Sequence, residues 1–341
     1  MHSCNVHRIV LTSSMNLRTI LFGLIVAAFT SSLSLGQNTG SDDIGDGPLT
    51  IPELREGSYP GSNIKIERQL SSGRNYKRYL SSYQSEGLKI FALLTVPNGL
   101  KPKNGWPAIV FNHGYIPPKQ YRTTEKYVAY VDGFARAGYI VFKPDYRGHG
   151  FSEGESQGAY FSPGYTVDVL NATSSVAKFK DTNPNRIGMW GHSMGGYLTL
   201  RSMLVDSRIK VGVIWAGVVA PYRDIVERWT GQQRGSIPKE AQRRRKLVFE
   251  KFGTPSSNPA FFDSISPNSY LGDGLGPLQI HHGLNDQTVP YQFSRALVKG
   301  LREAKQNHEY FEYAGNDHNL KQSFGLVMRR SVAFFDRILK R

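Results

Sequence analysis

Gly191-His192-Ser193-Met194-Gly195 sets a serine between two glycines, directly after the apolar run "RIGMWGHS" and directly before the helical run "MGGYLTLRSML". A sharp strand-to-helix turn forces its central residue into a conformation side chains rarely adopt, and a glycine two positions to either side leaves room for the surrounding backbone. Such a turn presents the hydroxyl at the end of a sheet, beside the positive end of the following helix. A hydroxyl is a weak nucleophile until a base takes its proton and a third group orients that base. The chain offers both: Asp286 in "HHGLNDQTVP", 93 residues after Ser193, and His318 in "YAGNDHNL", a further 32 residues on.

Other residues compete for these roles. Asp317 adjoins His318 and would point away from its neighbour's ring, so it is a poor orienting group. His281 and His282 fall at the end of an apolar run and read as hydrogen-bonded structural histidines. As metal ligands with Asp286 they would lack a second cluster, and the constellation requires no metal or organic cofactor. Charge building on a carbonyl oxygen needs backbone donors. The Met194 amide is one. The second belongs on the loop "FNHGYIPP", where the Tyr115 amide is the natural donor; its phenol could donate instead, or merely line a pocket. The turn Arg147-Gly148-His149-Gly150 in "DYRGHGFSEGE" reads as support for the same sheet edge.

These residues need a frame. "NIKIERQL", "NYKRYLSSYQ" and "GLKIFALLTVP" suggest an antiparallel meander. Thereafter apolar runs alternate with helical patterns: "PAIVFNHG", "EKYVAYVDGFARAG" with a stop at Gly138, "YIVFKPDYRGHG", and "SPGYTVDVLNATSSVAKFK" with Ser162 as N-cap and Pro163 at the first helical position. The Ser193 strand and helix, "IKVGVIWAGV", "PLQIHHG", "YQFSRALVKGLREA", "HEYFEYAG" and a helix from about Lys321 complete the series. Near-continuous apolar strands alternating with amphipathic helices imply a mostly parallel sheet covered on both faces. Residues 221–270 break the alternation with helical, aromatic and basic residues and read as a cap. Its aromatics Tyr222, Trp229, Phe249, Phe252, Phe261 and Phe262 suit an apolar acyl group and a packed lid equally well. Asn171-Ala-Thr173 matches a glycosylation acceptor but falls in a helical stretch.

Residues 1–36 differ from the rest. Arg8 and Arg18 stand without an acid before the ten-residue run "ILFGLIVAAF" and the small, polar "TSSLSLG", the layout of a secretory signal, with either Met1 or Met15 as start. The run is short for a bilayer span, which takes roughly 20 residues, so no stable membrane insertion is expected. Secreted or periplasmic location follows. The single cysteine, Cys4, lies in this leader. Residues 37–62, rich in Gly, Ser, Asp and Pro, read as a flexible lead-in to a catalytic domain over 63–341. The formal charge of +15 falls to +13 without the leader's two arginines. The dense cluster "QRRRK" (242–246) lies in a helical stretch without any nucleic-acid-binding motif, so no nucleic-acid partner is expected. At 39% hydrophobic the chain can bury a large core.

Over residues 63–341 the chain resembles the α/β-hydrolase superfamily, and in particular the catalytic domain of prolyl oligopeptidase-type serine peptidases and their esterase relatives. "FNHGY", "DYRGHGFSEGE", "GHSMGGYLTL", "HHGLNDQTVP" and "AGNDHNL" carry the resemblance, in the family's order and spacing. It implies an α/β-hydrolase fold, a mostly parallel central sheet with helices on both faces and a short helical cap. It also implies a Ser193–His318–Asp286 triad, Gly191 and Gly195 forming the nucleophile elbow, and an oxyanion hole from Tyr115 and Met194. A non-catalytic binding protein on this scaffold would be expected to lack a triad member, and this chain has all three. Two features depart from the peptidase pattern. About 25 residues stand between signal and domain where such peptidases place a β-propeller, and Met194 follows the serine where they commonly have an aromatic residue. Both point to carboxylic esters as substrates, with short or acylated peptides as the alternative; oligomeric state is left open.

Overall fold

The structure, a computed structural model, describes residues 50–229 and 239–341. The signal region, Cys4, both candidate start methionines and the lead-in up to residue 49 lie outside the described residues, as does segment 230–238 of the cap.

In chain order the elements are α1 (Ile51–Glu56), β1 (Lys65–Leu70), β2 (Tyr76–Ser85), β3 (Leu88–Pro97), β4 (Trp106–Asn112), α2 (Val128–Arg136), β5 (Ile140–Pro144), α3 (Gly164–Ala177), β6 (Thr182–His192), α4 (Met194–Val205) and β7 (Ile209–Trp215). The cap follows, with α5 (Tyr222–Asp224) running into a π-turn at Ile225–Trp229, then α6 (Lys239–Phe252), α7 (Pro259–Ile265) and a 3-10 turn at Pro267–Tyr270. β8 (Leu278–Gly283), α8 (Gln292–Glu303), β9 (His308–Tyr313) and α9 (Phe324–Leu339) close the chain.

The described strands form one nine-stranded sheet in the order β1-β2-β3-β5-β4-β6-β7-β8-β9. The expected meander is present: β1, β2 and β3 pair antiparallel, and β3 pairs antiparallel with β5. From β5 through β4 to β9 every pairing is parallel. The parallel strands are buried on both faces, which is why they read as continuous apolar runs rather than alternating ones. One face is covered through Leu170, Leu198, Leu200 and Leu297 of α3, α4 and α8. The other is covered through Phe134 of α2 and Val327, Phe334 and Phe335 of α9. The α/β-hydrolase architecture is therefore as the sequence implied, with an insertion of helices between β7 and β8 forming the cap.

Residues 50–62 depart from the flexible lead-in expected of them. Thr50 and Glu53 form a capping box, with the Thr50 hydroxyl accepting from the Glu53 N–H at 3.2 Å and the Glu53 carboxylate accepting from the Thr50 N–H at 2.7 Å. Ile51 and Leu54 of the resulting helix are buried in the main core. The chain then crosses α3, where the Asn171 side chain accepts from the Gly61 N–H at 2.8 Å and the Ser175 hydroxyl from the Ser62 N–H at 3.0 Å. Asn171 is thus buried and engaged within the core, so the glycosylation match is spent on packing. The start of α3 lies one residue later than expected, with Pro163 at the N-cap; Ser162 still accepts the Gly164 N–H at 3.2 Å.

Candidate active site

Four loops meet at the carboxyl edge of the parallel strands, where open α/β sheets place their ligands. They follow β4 (His113–Tyr115), β6 (Ser193), β8 (Asp286) and β9 (His318).

Ser193 has φ 55° and ψ −120°, a region costly for any residue with a side chain. The surrounding backbone fixes it there: its N–H donates to the Trp215 carbonyl at 3.0 Å, and its carbonyl accepts from Gly196 at 2.9 Å and Val218 at 3.1 Å. The two elbow glycines are needed for contact. A Cβ on Gly191 would lie 2.2 Å from the Gly195 carbonyl oxygen, and one on Gly195 would lie 2.0 Å from the Asn112 carbonyl oxygen. Both obstacles are backbone and cannot rotate aside. Gly195→Ala should therefore lower stability by about 3 kcal/mol or more, read as a fall in thermal midpoint or a failure to accumulate folded protein. A fully folded Gly195→Ala with the parent's midpoint would contradict this packing.

Asp286 and His318 come together as predicted. The His318 Nδ1 lies 2.7 Å from the Asp286 Oδ2, and the Asp286 side chain is fully buried. The other carboxylate oxygen accepts the N–H groups of Thr288 at 2.8 Å and Val289 at 2.9 Å. Burial pushes this carboxyl up, but hydrogen bonds from His282 and His318 and from the Val289 N–H outweigh it and hold it well below the usual carboxylate range. The two loops also bond directly, Asn285 N–H to the Asn316 carbonyl at 3.0 Å. Gly283 permits this approach, since a Cβ there would meet the Asn316 carbonyl oxygen at 2.3 Å.

The competing residues fall where the chemistry suggested. Asp317 is spent on its own turn, accepting the Asn319 and Lys321 N–H groups at 3.1 Å each. His281 is buried, with Gln279 at 2.7 Å and Tyr313 at 2.9 Å. His282 does more than its sequence context indicated. Its Nε2 faces two acceptors, Asp286 Oδ2 at 3.0 Å and the Val289 carbonyl at 3.1 Å, and so carries the hydrogen; its Nδ1 accepts from Ser294 at 2.6 Å. It is a second N–H donor to the same carboxylate oxygen that holds His318.

The loop after β4 rests directly on the serine: a Cβ on Gly114 would lie 3.1 Å from the Ser193 Cβ. His113 is buried between Tyr121 and Tyr146, with ring centroids at 4.4 and 4.2 Å, and its Nδ1 lies 2.7 Å from the Gly114 carbonyl oxygen. In a trans peptide the carbonyl and the next N–H point opposite ways. Drawing the Gly114 carbonyl toward His113 leaves the Tyr115 N–H facing the other direction. Arg147 has the supporting role expected of its turn, its guanidinium bonded to Asp168 at 2.7 Å and to Glu86 at 2.8 Å.

Ser193, Met194, His318 and Tyr115 all line one cavity of about 640 Å³. Its walls are largely apolar and aromatic, with Tyr130, Tyr160, Phe161 and Trp229 prominent. Of the six cap aromatics singled out from sequence, Trp229 alone is on this wall. The others pack on one another and on the main core: Phe252 stacks on Phe261 at 4.1 Å, and Phe262 packs against Tyr222 at 5.9 Å and Phe249 at 6.1 Å. The basic cluster is largely paired within α6, Arg243 and Arg244 with Glu240 at 3.1 and 3.2 Å and Lys246 with Glu250 at 3.6 Å. Arg245 reaches the cavity wall. Among the described residues no group of three or more His, Cys, Asp or Glu could hold a metal ion, and no helix is long and apolar enough to cross a membrane.

Comparison with known proteins bears on this geometry. A model described as the prolyl oligopeptidase family matches residues 125–341. A probable dipeptidyl-aminopeptidase B of Metarhizium robertsii is 25% identical over 292 residues, covering 79% of this chain and 29% of the relative. An uncharacterized peptidase, YtmA, of Bacillus subtilis is 24% identical over 259 residues, covering 75% of this chain and 91% of the relative. The chain thus spans under a third of the dipeptidyl-aminopeptidase B it matches. Among solved structures, an acetyl xylan esterase from Paenibacillus sp. R4 aligns with a TM-score of 0.62 at 16% identity, over 83% of this chain and 92% of the other. Porphyromonas gingivalis dipeptidyl peptidase 4 aligns at 0.60 and 20% identity, over 78% and 36%. At these identities the structural likenesses bear on fold.

Proposed function

This chain belongs to the prolyl oligopeptidase family and is a serine hydrolase, and from that premise we propose that it cleaves carboxylic esters by way of an acyl-enzyme on Ser193. The observation that carries the ester reading is the charge on the cavity wall. A peptidase that trims from a free N-terminus needs a carboxylate to receive the ammonium. Glu240 is the one acid on this wall among the described residues, and Arg243 and Arg244 already hold it. Asp224 and Glu227 of the cap lie off the wall and pair with Arg228 at 3.3 Å and Arg223 at 3.0 Å. The wall's other charged side chains among the described residues, Lys126 and Arg245, are cationic, and its aromatic remainder suits the apolar part of an ester.

In this reading Ser193 Oγ attacks the carbonyl carbon as His318 Nε2 takes its proton. The Asp286 carboxylate fixes the Nδ1–H tautomer and stabilises the imidazolium. The amides of Met194 and Tyr115 receive the oxyanion. Collapse expels the alcohol with the proton returned by His318, and water then releases the acid by the same steps. A second reading, cleavage of short or acylated peptides, is favoured by the peptidase relatives. Export to a secreted or periplasmic location is part of the proposal and rests on the pattern of residues 1–36.

The test compares kcat/KM for a p-nitrophenyl ester and an aminoacyl p-nitroanilide, with active sites counted by fluorophosphonate titration. The ester should be turned over with a negligible anilide rate. Efficient anilide cleavage would overturn the ester reading in favour of the peptidase.

A further inference from the structure

We propose that the Tyr127 hydroxyl is a positioning group that ties the oxyanion loop to the loop of the base, acting through Gly114 on one side and His192 on the other. The inference rests on the reading of Ser193 as nucleophile and goes beyond it, because neither Tyr127 nor His192 has a role in the proton transfers.

The argument is a count of donors and acceptors. His192 Nε2 lies 3.0 Å from the His318 main-chain carbonyl, which can only accept, so Nε2 carries the hydrogen. The neutral ring then presents a lone pair at Nδ1, 2.7 Å from the Tyr127 oxygen. Tyr127 must donate there. Its oxygen in turn accepts the Gly114 N–H at 2.8 Å. Each hydrogen in the chain Gly114 N–H, Tyr127 O–H, His192 Nε2–H is donated in one direction, ending on the His318 carbonyl. His192 is buried, and burial, with the nearby His318 adding to it, pulls its pKa down to about 3, so the ring stays neutral across the working range.

The positions are enforced independently. Tyr127 sits in the left-handed region at φ 60°, uncommon for an aromatic residue. The carbonyl before it, that of Lys126, accepts from the buried Lys143 ammonium at 3.1 Å. The ring packs edge-on against Phe111 at 5.6 Å, and the His192 and His318 rings lie 4.6 Å apart. A Cβ on Gly114 would meet the Tyr127 hydroxyl at 2.7 Å, so the loop has no room to form another contact there. The hydroxyl therefore joins the peptide that precedes the Tyr115 amide, through His192, to the backbone that carries the His318 imidazole.

Removing it leaves the ring and strands two buried groups, the Gly114 N–H and His192 Nδ1. A misplacement of about 1 Å at reacting groups costs on the order of a hundred-fold in rate. Tyr127→Phe should therefore lower kcat for a p-nitrophenyl ester by about 10- to 100-fold, with KM within about two-fold of the parent. Affinity for a trifluoromethyl ketone, which forms a tetrahedral adduct on the serine, should fall by the same factor as kcat/KM. The second variant is His192→Gln, which keeps an N–H for the His318 carbonyl but offers no imidazole lone pair to Tyr127. In that background Tyr127→Phe should cost much less than in the parent.

Unchanged kcat in folded, titrated Tyr127→Phe overturns the proposal, as does a loss confined to KM, which would make Tyr127 a wall of the cavity only. Strictly additive losses in the double variant remove the His192 limb and overturn it too. Parent protein that hydrolyses esters while Ser193 stays unlabelled by fluorophosphonate overturns the nucleophile assignment itself, an outcome read before any variant is made.

Discussion

Ser193→Ala is expected to lower kcat by about a million-fold, the loss typical when a serine hydrolase loses its nucleophile. The fold should survive. Alanine tolerates φ 55° no better than serine does, so the elbow's strain is unchanged, and the bonds that fix it are made by main-chain atoms of Ser193, Gly196, Trp215 and Val218. The thermal midpoint should stay close to that of the parent. Residual turnover of about a thousand-fold over water is expected from the oxyanion donors and binding alone. Rates normalised to protein mass, with fluorophosphonate labelling as the control for contaminating parent, check this. Turnover at the parent's rate would remove Ser193 from the mechanism.

Asp286→Asn should cost about ten thousand-fold in kcat, and the surroundings of the carboxylate dictate why. One of its oxygens accepts two main-chain N–H groups, from Thr288 and Val289, so the amide of an asparagine must keep its oxygen on that side. The NH2 then takes the place of the oxygen that faces His318 and His282. Facing an N–H donor, the His318 ring must present a lone pair at Nδ1 and carry its hydrogen at Nε2, the wrong tautomer to accept the serine proton. His282 turns its N–H toward the same NH2 and keeps only the Val289 carbonyl at 3.1 Å. The loss should therefore appear in kcat with KM little changed, along with a modest drop in thermal stability. A loss below ten-fold would mean that His318 takes its orientation from another group.

The parts of the site legible in sequence were those whose constraint is local. The elbow glycines are fixed by contacts within a few residues or with the adjacent strand, and Asp286 and His318 each follow a strand whose apolar run is plain. Thr50-Ile51-Pro52-Glu53 carried a capping-box signature as well, but the Gly, Ser and Asp around it outweighed two buried side chains. Tyr127 and His192 could not be paired from sequence, because they stand 65 residues apart and nothing in either residue's own neighbourhood requires the other. The cap aromatics stayed open between cavity wall and packed lid for a related reason: only the approach of one helix to another decides whether rings face a cavity or each other.

The short helix α1 has a consequence in time as well as in space. Arg55, near its end, donates to the Leu204 carbonyl at 2.9 Å and pairs with Asp273 at 2.8 Å, partners 149 and 218 residues away. Residues emerge from a ribosome at about 5–20 per second, so Asp273 follows Arg55 by roughly 10 to 45 seconds. Through that interval the Arg55–Asp273 ion pair cannot form. The part of the core that holds Ile51 and Leu54 is therefore pinned by Arg55 at both of its distant partners only after four-fifths of the chain has been made.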